Sequence, residues 1–299
     1  MKSYLSVDAG GTFLKSAILN SKGEVFQESA CSVESFSDGP KEKILQAFGD
    51  IISKGLNFIR DNGMELGGIG VAFPGPFDIE KATPLMHHKF QAIYGINLRA
   101  LFYQNSGVPE KIPIKFIHDA NAVLAGELWK GNAQGFDNAA VVTLGTGLGF
   151  AVSERRKVLC NTLGGPFLSI FQLPYKEGIL EDYASKRGFM KIYQELNNQA
   201  NCNEIDVSDL GEWADNGDQA SILTFRKIGE ILGESLRDIL TERKIECLLF
   251  GGQISRSFPF MEEPLKEALK DVGSLKRVTM VKSIDYAAFL GAISTILQK

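Results

Sequence analysis

The sequence predicts an α/β protein built from two domains, because strand and helix patterns alternate along both halves of the chain. In the first half, short apolar runs at residues 4–7, 69–73 and 114–117 flank a helical apolar period that starts at Pro40 and stops at residues 62–63. The second half repeats this plan, with helical patterns at residues 219–242, 262–270 and 286–297 around strands at 247–250 and 277–281. A glycine-rich turn opens each half. We therefore expect an internal duplication with its boundary near residues 110–118.

Composition limits the classes of partner. The chain has 299 residues, 44% of them hydrophobic, which is enough for a large core. Its net charge of −4 gives no support for nucleic acid or an anionic membrane as partner. No apolar run approaches the roughly 18 residues of a membrane span, and the chain opens on a strand pattern without a basic and apolar leader.

Four cysteines are widely separated and form no C-x-x-C pair. This spacing predicts reduced thiols and a cytoplasmic protein rather than a disulfide framework or a zinc site. The cysteines are Cys31, Cys160, Cys202 and Cys247.

The two glycine-rich turns read VDAGGT at residues 7–12 and TLGTGLG at residues 143–149, each between two strand patterns. Glycine allows close approach of the backbone and positive φ, so such a turn can aim N–H groups and a threonine hydroxyl at an anion. Two of them predict a pair of phosphate-binding hairpins for one nucleotide. The residues concerned are Gly10, Gly11, Thr12, Thr143, Gly145, Thr146 and Gly147.

Two aspartates stand beside these patterns. Asp8 directly precedes the glycines of the first turn. A carboxylate next to phosphate oxygens needs a cation between them, so this position favours binding of Mg²⁺ through water over a simple turn-capping role. Asp119 lies where the strand at 114–117 meets a helix. It could act as a helix N-cap, or as the general base that orients a hydroxyl nucleophile and takes its proton.

Other candidates carry weaker signals. Gly251, Gly252 and Gln253 follow a strand and could meet a base or ribose, or form an ordinary strand-to-helix turn. Lys15 could meet a phosphate or be solvated. His87 and His88 have no metal-binding partner spacing.

The motifs occur in the order seen in the ROK family of sugar kinases and sugar-responsive repressors, which the chain resembles over nearly its whole length. They are DAGGT at 8–12, FPGP at 73–76, HDANA at 118–122, LGTGLG at 144–149, GG at 251–252 and LGA at 290–292. The resemblance implies the actin-like ATPase (ribonuclease H-like) fold, with two α/β domains around a cleft. The N-terminal domain would comprise residues 1–115 and a returning helix at about 286–299, and the C-terminal domain residues 116–285.

The resemblance also implies roles for single residues. Asp119 would be the catalytic base, both glycine turns would hold the phosphates of ATP with Mg²⁺, and Gly251–Gln253 would meet the adenosine. Sugar contacts would come from Gly75, His118, Asp119 and Glu181. A homodimer is expected, with a sugar and ATP as small-molecule ligands and with neither nucleic acid nor membrane as partner.

The chain departs from the family pattern around the sugar. The usual Gly-Glu-x-Gly-His stretch is replaced at residues 162–167, where Leu163 and Pro166 align with the glutamate and histidine. Ile179 replaces a zinc cysteine, and His118 stands in place of the usual asparagine, whereas Glu181 is kept. We therefore expect no structural zinc and a rebuilt sugar pocket. Packing of apolar side chains should hold the loop from Leu159 to Glu181 instead; these side chains are Pro166, Phe167, Ile170, Phe171, Leu173 and Pro174.

The leading interpretation is an ATP- and Mg²⁺-dependent kinase of a hexose or related sugar, similar to glucokinases. Polyphosphate as donor stays open. A non-catalytic sugar or nucleotide sensor is the main alternative, favoured by Leu163 and Pro166 but disfavoured by the retained Asp119. A transcriptional repressor is less favoured, because family repressors carry an N-terminal helix-turn-helix and this chain starts with the kinase strand.

Overall fold

A computed structural model describes residues 1–197 and 205–298 of the chain. Cys202, one of the four expected thiols, lies outside the described residues. The chain forms two compact units. Unit 1 comprises Met1–Gly131, Cys160–Phe167 and the segment from Asp285 onward, and unit 2 comprises Asn132–Leu159 and Leu168–Ile284. This division falls after Gly131, whereas the expected boundary between residues 115 and 116 lies inside a strand of unit 1.

Unit 1 is an α/β layer structure. Its main elements are β1 (Lys2–Ala9), β2 (Phe13–Asn20), β3 (Val25–Glu34), α1 (Lys41–Asp61), β4 (Glu65–Phe73), the short strands β5 (Phe77–Asp78) and β6 (Thr83–Pro84), α2 (Leu98–Asn105), β7 (Ile114–His118), α3 (Asp119–Lys130) and a helix formed by Ala287–Leu297. The main sheet has the order β3-β2-β1-β4-β7. Strands β1, β4 and β7 are parallel, and β2 is antiparallel to both of its neighbours.

Successive side chains of β1 point to opposite faces of this sheet, and each face packs against a helix. Leu5 and Val7 join the core that contains Phe48 of α1. Tyr4, one position out of phase, belongs instead to the cluster around Phe289 of the helix Ala287–Leu297. The apolar period that predicted α1 is confirmed, since its residues are buried in this core or, for Leu45 and Leu56, partly buried against it.

The helix Ala287–Leu297 packs closely along α3. A Cβ added at Gly291 would overlap the carbonyl oxygen of Ala122, and one added at Gly126 would overlap the carbonyl oxygen of Ala287. The Ser6 hydroxyl in β1 also donates a hydrogen bond to the carbonyl oxygen of Phe289 at 3.1 Å. The glycine of the LGA motif thus lets two helices touch, and it supports the helix that begins with Asp119.

Unit 2 repeats the layered plan. Its elements are β8 (Ala139–Leu144), β9 (Leu148–Glu154), β10 (Lys157–Val158), β11 (Pro174–Tyr175), β12 (Gly178–Ile179), α4 (Leu180–Ala184), α5 (Lys186–Asn197), α6 (Val207–Asp215), α7 (Gln219–Glu242), β13 (Cys247–Gly251), α8 (Phe258–Ala268) and β14 (Arg277–Met280), and we number the helix Ala287–Leu297 of unit 1 as α9. The sheet has the order β10-β9-β8-β13-β14. The predicted hairpin β8–β9 and the helix α7 are confirmed.

Two parts of unit 2 differ from the sequence-based expectation. The helix expected from about residue 262 begins at Phe258, with Pro259 in its first turn, where a missing N–H costs nothing. Helices α4, α5 and α6 were not predicted. Among the described residues, no helix is long and apolar enough to cross a membrane.

Candidate active site

Polar residues of unit 1 gather at the carboxyl-terminal edge of three parallel strands. Asp8 pairs with Ala72 across β1 and β4, and Phe73 pairs with His118 across β4 and β7. Asp8, the FPGP turn and the start of α3 therefore come together at one edge of the sheet, where α/β folds commonly bind ligands.

Asp119 is the first residue of α3, and its carboxylate is held by its neighbours. His118 Nδ1 lies 2.8 Å from Asp119 Oδ1, and the N–H of Ala120 donates to the same oxygen at 2.7 Å. Desolvation of the partly covered side chain raises the pKa of Asp119, but the His118 charge and hydrogen bond, the Ala120 N–H and the Lys89 charge outweigh this effect and lower the pKa below its usual value. The side chain is 47% exposed. Asp119 is therefore an ionised carboxylate with a fixed orientation and access from solvent.

The surroundings of Asp8 shift its pKa in the opposite direction. Burial, reinforced by the negative charge of Asp119 and only partly offset by Lys15, raises the pKa of Asp8 to about 6. Within the described part of the chain, its carboxylate has no hydrogen-bond donor. Two carboxylates that repel each other, one of them without a donor, form a setting that a divalent cation relieves. The residues present therefore fit Mg²⁺ near Asp8.

Serine hydroxyl groups hold the first glycine turn, residues 10–12, through its backbone carbonyl. The hydroxyls of Ser35 and Ser37 both donate to the carbonyl oxygen of Gly11, at 2.5 and 2.6 Å. The N–H of Gly10 donates to the carbonyl oxygen of Phe13 at 3.0 Å. With the Gly11 carbonyl engaged, the N–H of Gly11 and the exposed Thr12 hydroxyl stay available to an anion.

Gly75 lies against the ring of His118. A Cβ added at Gly75 would lie 2.7 Å from His118 Nε2, so a larger residue would displace the imidazole. Because Nδ1 of the same ring faces Asp119, Gly75 and His118 set the position of the carboxylate as well as lining its surroundings.

The second glycine turn connects β8 and β9 in unit 2 and is in contact with Glu181. The Leu148 N–H donates to Glu181 Oε2 at 3.0 Å, and the N–H of Lys186 donates to the Gly145 carbonyl at 3.1 Å. The other carboxylate oxygen, Oε1, lies 3.4 Å from a guanidinium nitrogen of Arg187. Glu181, which the resemblance implies as a sugar ligand, thus contacts the second turn. This turn contains Thr143, Gly145, Thr146 and Gly147. No spacing in the sequence indicated the contact.

Gly251 is the last residue of β13 and Gly252 follows it. Both lie beside the second turn, since Gly251 pairs with Thr143. Gly252 has φ +83°, and a Cβ there would overlap the carbonyl oxygen of Leu144. Glycine is therefore required here by the backbone itself. Gln253 follows as the first residue of a short 3₁₀ helix.

The loop at 160–167, which includes the stretch expected to replace the family's Gly-Glu-x-Gly-His pattern, is held by hydrogen bonds within unit 1. The Asn121 amide donates to the Gly164 carbonyl at 3.2 Å, and the Ile79 N–H donates to the Leu163 carbonyl at 3.0 Å. Apolar packing was expected to hold the longer loop from Leu159 to Glu181. This expectation is confirmed for Ile170, which is buried, and wrong for Phe167 and Phe171, which are 44% and 36% exposed. Among residues 1–197 and 205–298, no cluster of three or more metal-ligand side chains occurs.

Lys89 is a site residue that sequence reasoning missed. Its side chain lies along Gly11, and its charge acts on Asp119. Lys89 is 78 positions from Gly11 in the sequence, and the neighbouring His87 and His88 form no recognisable motif, so the sequence did not indicate it.

The comparisons with known proteins agree with this architecture. The structure of a ROK family glucokinase from Streptomyces griseus in complex with glucose and AMPPNP superposes with a TM-score of 0.84 at 20% identity, covering 99% of this chain and 100% of that one. The two units have the actin-like ATPase fold, as expected. The chain belongs to the ROK family, whose model matches residues 4–162 and 175–299.

Relatives in sequence include both enzymes and a regulator. A glucokinase of Halalkalibacterium halodurans is 26% identical over 88% of this chain and 84% of its own length. A xylose repressor of Caldicellulosiruptor bescii is 23% identical over 99% of this chain and 78% of its own length. The glucokinase relatives support sugar phosphorylation at the level of the family.

Proposed function

We propose that the protein is a sugar kinase that transfers the γ-phosphoryl group of ATP to a hydroxyl of a hexose or related sugar. The observation that carries the proposal is the ionised Asp119 carboxylate, held by His118 and Ala120 at the same sheet edge as Asp8 and near the first glycine turn. A carboxylate so placed can orient a hydroxyl and take its proton late in the transfer, which is what phosphoryl transfer requires of a base.

The other site residues receive roles that fit their surroundings. We assign the phosphates of ATP to Gly10, Gly11, Thr12, Thr143, Gly145, Thr146 and Gly147, and the adenosine to Gly251, Gly252 and Gln253. Asp8 would hold Mg²⁺, through water. When bound, Mg²⁺ neutralises phosphate charge. We assign the sugar to Gly75, His118, Asp119 and Glu181.

A sensor that binds sugar or nucleotide without catalysis is the second candidate. Leu163, which stands where the family has a sugar-binding glutamate, is 39% exposed, and a relative named as a repressor covers 99% of the chain. The retained base argues against this alternative, because binding alone does not require it.

The test is a screen of hexoses, amino sugars and their deoxy analogues with purified protein, ATP and Mg²⁺, followed by ADP release. Polyphosphate is the second donor in the same screen. Sugar-dependent ADP release that Asp119→Asn abolishes would support the kinase. Saturable binding of a sugar without turnover of either donor would favour the sensor.

A further inference from the structure

Lys89 is held in place by its neighbour Phe90. Phe90 is fully buried, packs against Phe48 and Phe73, and adopts a left-handed backbone with φ +51°. Its N–H donates to the carbonyl oxygen of Ser37 at 2.7 Å, and the hydroxyl of Ser37 donates to the Gly11 carbonyl. A short chain of hydrogen bonds thus ties the backbone next to Lys89 to the first glycine turn.

The side chain of Lys89 extends over that turn. A Cβ added at Gly11 would lie 3.0 Å from Cε and 3.1 Å from Nζ of Lys89. The glycine therefore leaves room for the ammonium group as well as for a ligand. In the parts of the chain that the structure describes, Nζ of this half-buried lysine has neither an ion pair nor a hydrogen bond.

Lys89 also faces the candidate base. Burial opposes the ionised form of Asp119, and the positive charge of Lys89 favours that form, although less strongly than His118 and the Ala120 N–H do. An ammonium group is strongly hydrated, and holding one half-buried without a partner is unfavourable unless an anion completes its surroundings. In a kinase, the anion that lies between a phosphate-binding glycine turn and the general base is the phosphoryl group being transferred.

From these contacts, we propose that Lys89 binds the γ-phosphoryl group of ATP during its transfer and stabilises the charge on its non-bridging oxygens. The proposal rests on the proposed kinase function. In this step the sugar hydroxyl oxygen forms a bond to the γ-phosphorus while the bond from that phosphorus to the β,γ-bridging oxygen breaks. The bridging oxygen leaves with the electron pair as part of ADP, and the hydroxyl proton passes to Asp119. Lys89 keeps its proton throughout.

The first test separates the γ-phosphate from the rest of the nucleotide. Calorimetry should show that Lys89→Met weakens binding of AMPPNP about tenfold or more, as expected for loss of a charged hydrogen bond. The affinity for ADP should change less than about twofold, because ADP has no γ-phosphoryl group for Lys89 to bind. Lys89→Arg should recover part of the AMPPNP affinity. Lys81→Met is the matched control, because Lys81 is 78% exposed and pairs with Asp78 in the same unit. Equal losses for AMPPNP and ADP, or none, would overturn the proposal.

The second test uses turnover and its pH dependence. Removing one preorganised donor to a developing charge costs about 10²–10³-fold in kcat, and Lys89→Met should show a loss of this size at every pH. A loss that disappears at higher pH would mean that Lys89 acts only through the ionisation of Asp119, which overturns the direct contact. If the wild-type protein binds AMPPNP but phosphorylates no sugar, the proposed kinase function is refuted. The comparison of AMPPNP with ADP would then still decide whether Lys89 binds the γ-phosphoryl group. Failure of the wild type to bind either nucleotide would overturn both.

Discussion

His118 Nδ1 lies 2.8 Å from Oδ1 of Asp119, so that the last residue of β7 binds the first residue of α3 through their side chains. The strand-to-helix junction thereby orients the carboxylate, and Gly75 leaves the space that the His118 ring occupies. The same oxygen receives the Ala120 N–H at the start of the helix, where backbone N–H groups favour a negative charge. The orientation of the candidate base thus comes mainly from this junction, whereas the charge of Lys89 adds to its ionisation.

Replacing Asp119 should abolish most turnover. Asp119→Asn keeps the size of the side chain but cannot accept the proton, so kcat should fall about a hundredfold or more, with ATP affinity little changed. Steady-state kinetics and calorimetry measure the two effects. Asp61→Asn, which makes the same change at an exposed residue ending α1, is the control and should keep full activity. Comparable turnover in Asp119→Asn would refute the assignment of the base.

Replacing Asp8 should stabilise the metal-free protein at neutral pH. Its pKa is raised to about 6 in the folded state from 3.8, so the folded protein binds more protons than the unfolded chain between these pH values. The stability associated with the protonated group is therefore full below pH 4 and is lost as the pH rises through about 6.

Asp8→Asn should consequently raise the free energy of unfolding at pH 7.5 by up to about 3 kcal/mol, and the gain should shrink towards pH 4. Chemical denaturation in buffer containing a chelator measures both. In activity assays the same variant should need more Mg²⁺. A gain that does not depend on pH would show that charge at Asp8 is not its cause.

Two glycines of unit 2 should respond differently to alanine. Gly252→Ala places a Cβ against the Leu144 carbonyl at φ +83°, so unfolding should become easier by ~2 kcal/mol or more. A Cβ at Gly145 meets nothing within 4 Å, so Gly145→Ala should keep the melting temperature but weaken nucleotide binding. Thermal unfolding and nucleotide titration of both variants distinguish a structural from a ligand-binding glycine. A lowered melting temperature for Gly145→Ala would contradict this assignment.

The protein should contain no stoichiometric zinc and should bind glucose weakly. Hydrogen bonds, not ligand side chains, hold the loop at 160–167, and Leu163 and Pro166 cannot offer the hydrogen bonds of a glutamate and a histidine. Each neutral hydrogen bond lost costs about 0.5–1.5 kcal/mol, so sugars lacking or substituting a hydroxyl should be preferred. Elemental analysis after purification without chelators, together with KM values across the sugar screen, tests both parts. Bound zinc, or glucose as the best substrate, would contradict them.

The fold could be predicted where the sequence pattern is local. The apolar periods of α1 and α7 and the glycine turns after β1 and β8 are properties of neighbouring residues, and these elements agree with the structure. Helices α5 and α6 were missed although α6 begins with a capping Asp206. The contacts of Lys89 with Gly11 and of Glu181 with Leu148 could not be predicted, since each joins residues 33 or more positions apart with no shared period.

The hydrogen bond between Ser6 and Phe289 has a consequence for biosynthesis. Its two residues are 283 positions apart, and α9 covers one face of the sheet that β1 starts. At roughly 5–20 residues per second, a ribosome reaches Phe289 some 15–60 s after Ser6. During that interval the residues of unit 2 are synthesised, while the sheet of unit 1 still lacks α9 on one face and exposes apolar side chains there. Ribosome-associated chaperones should therefore bind this chain early in translation and be released only once α9 emerges.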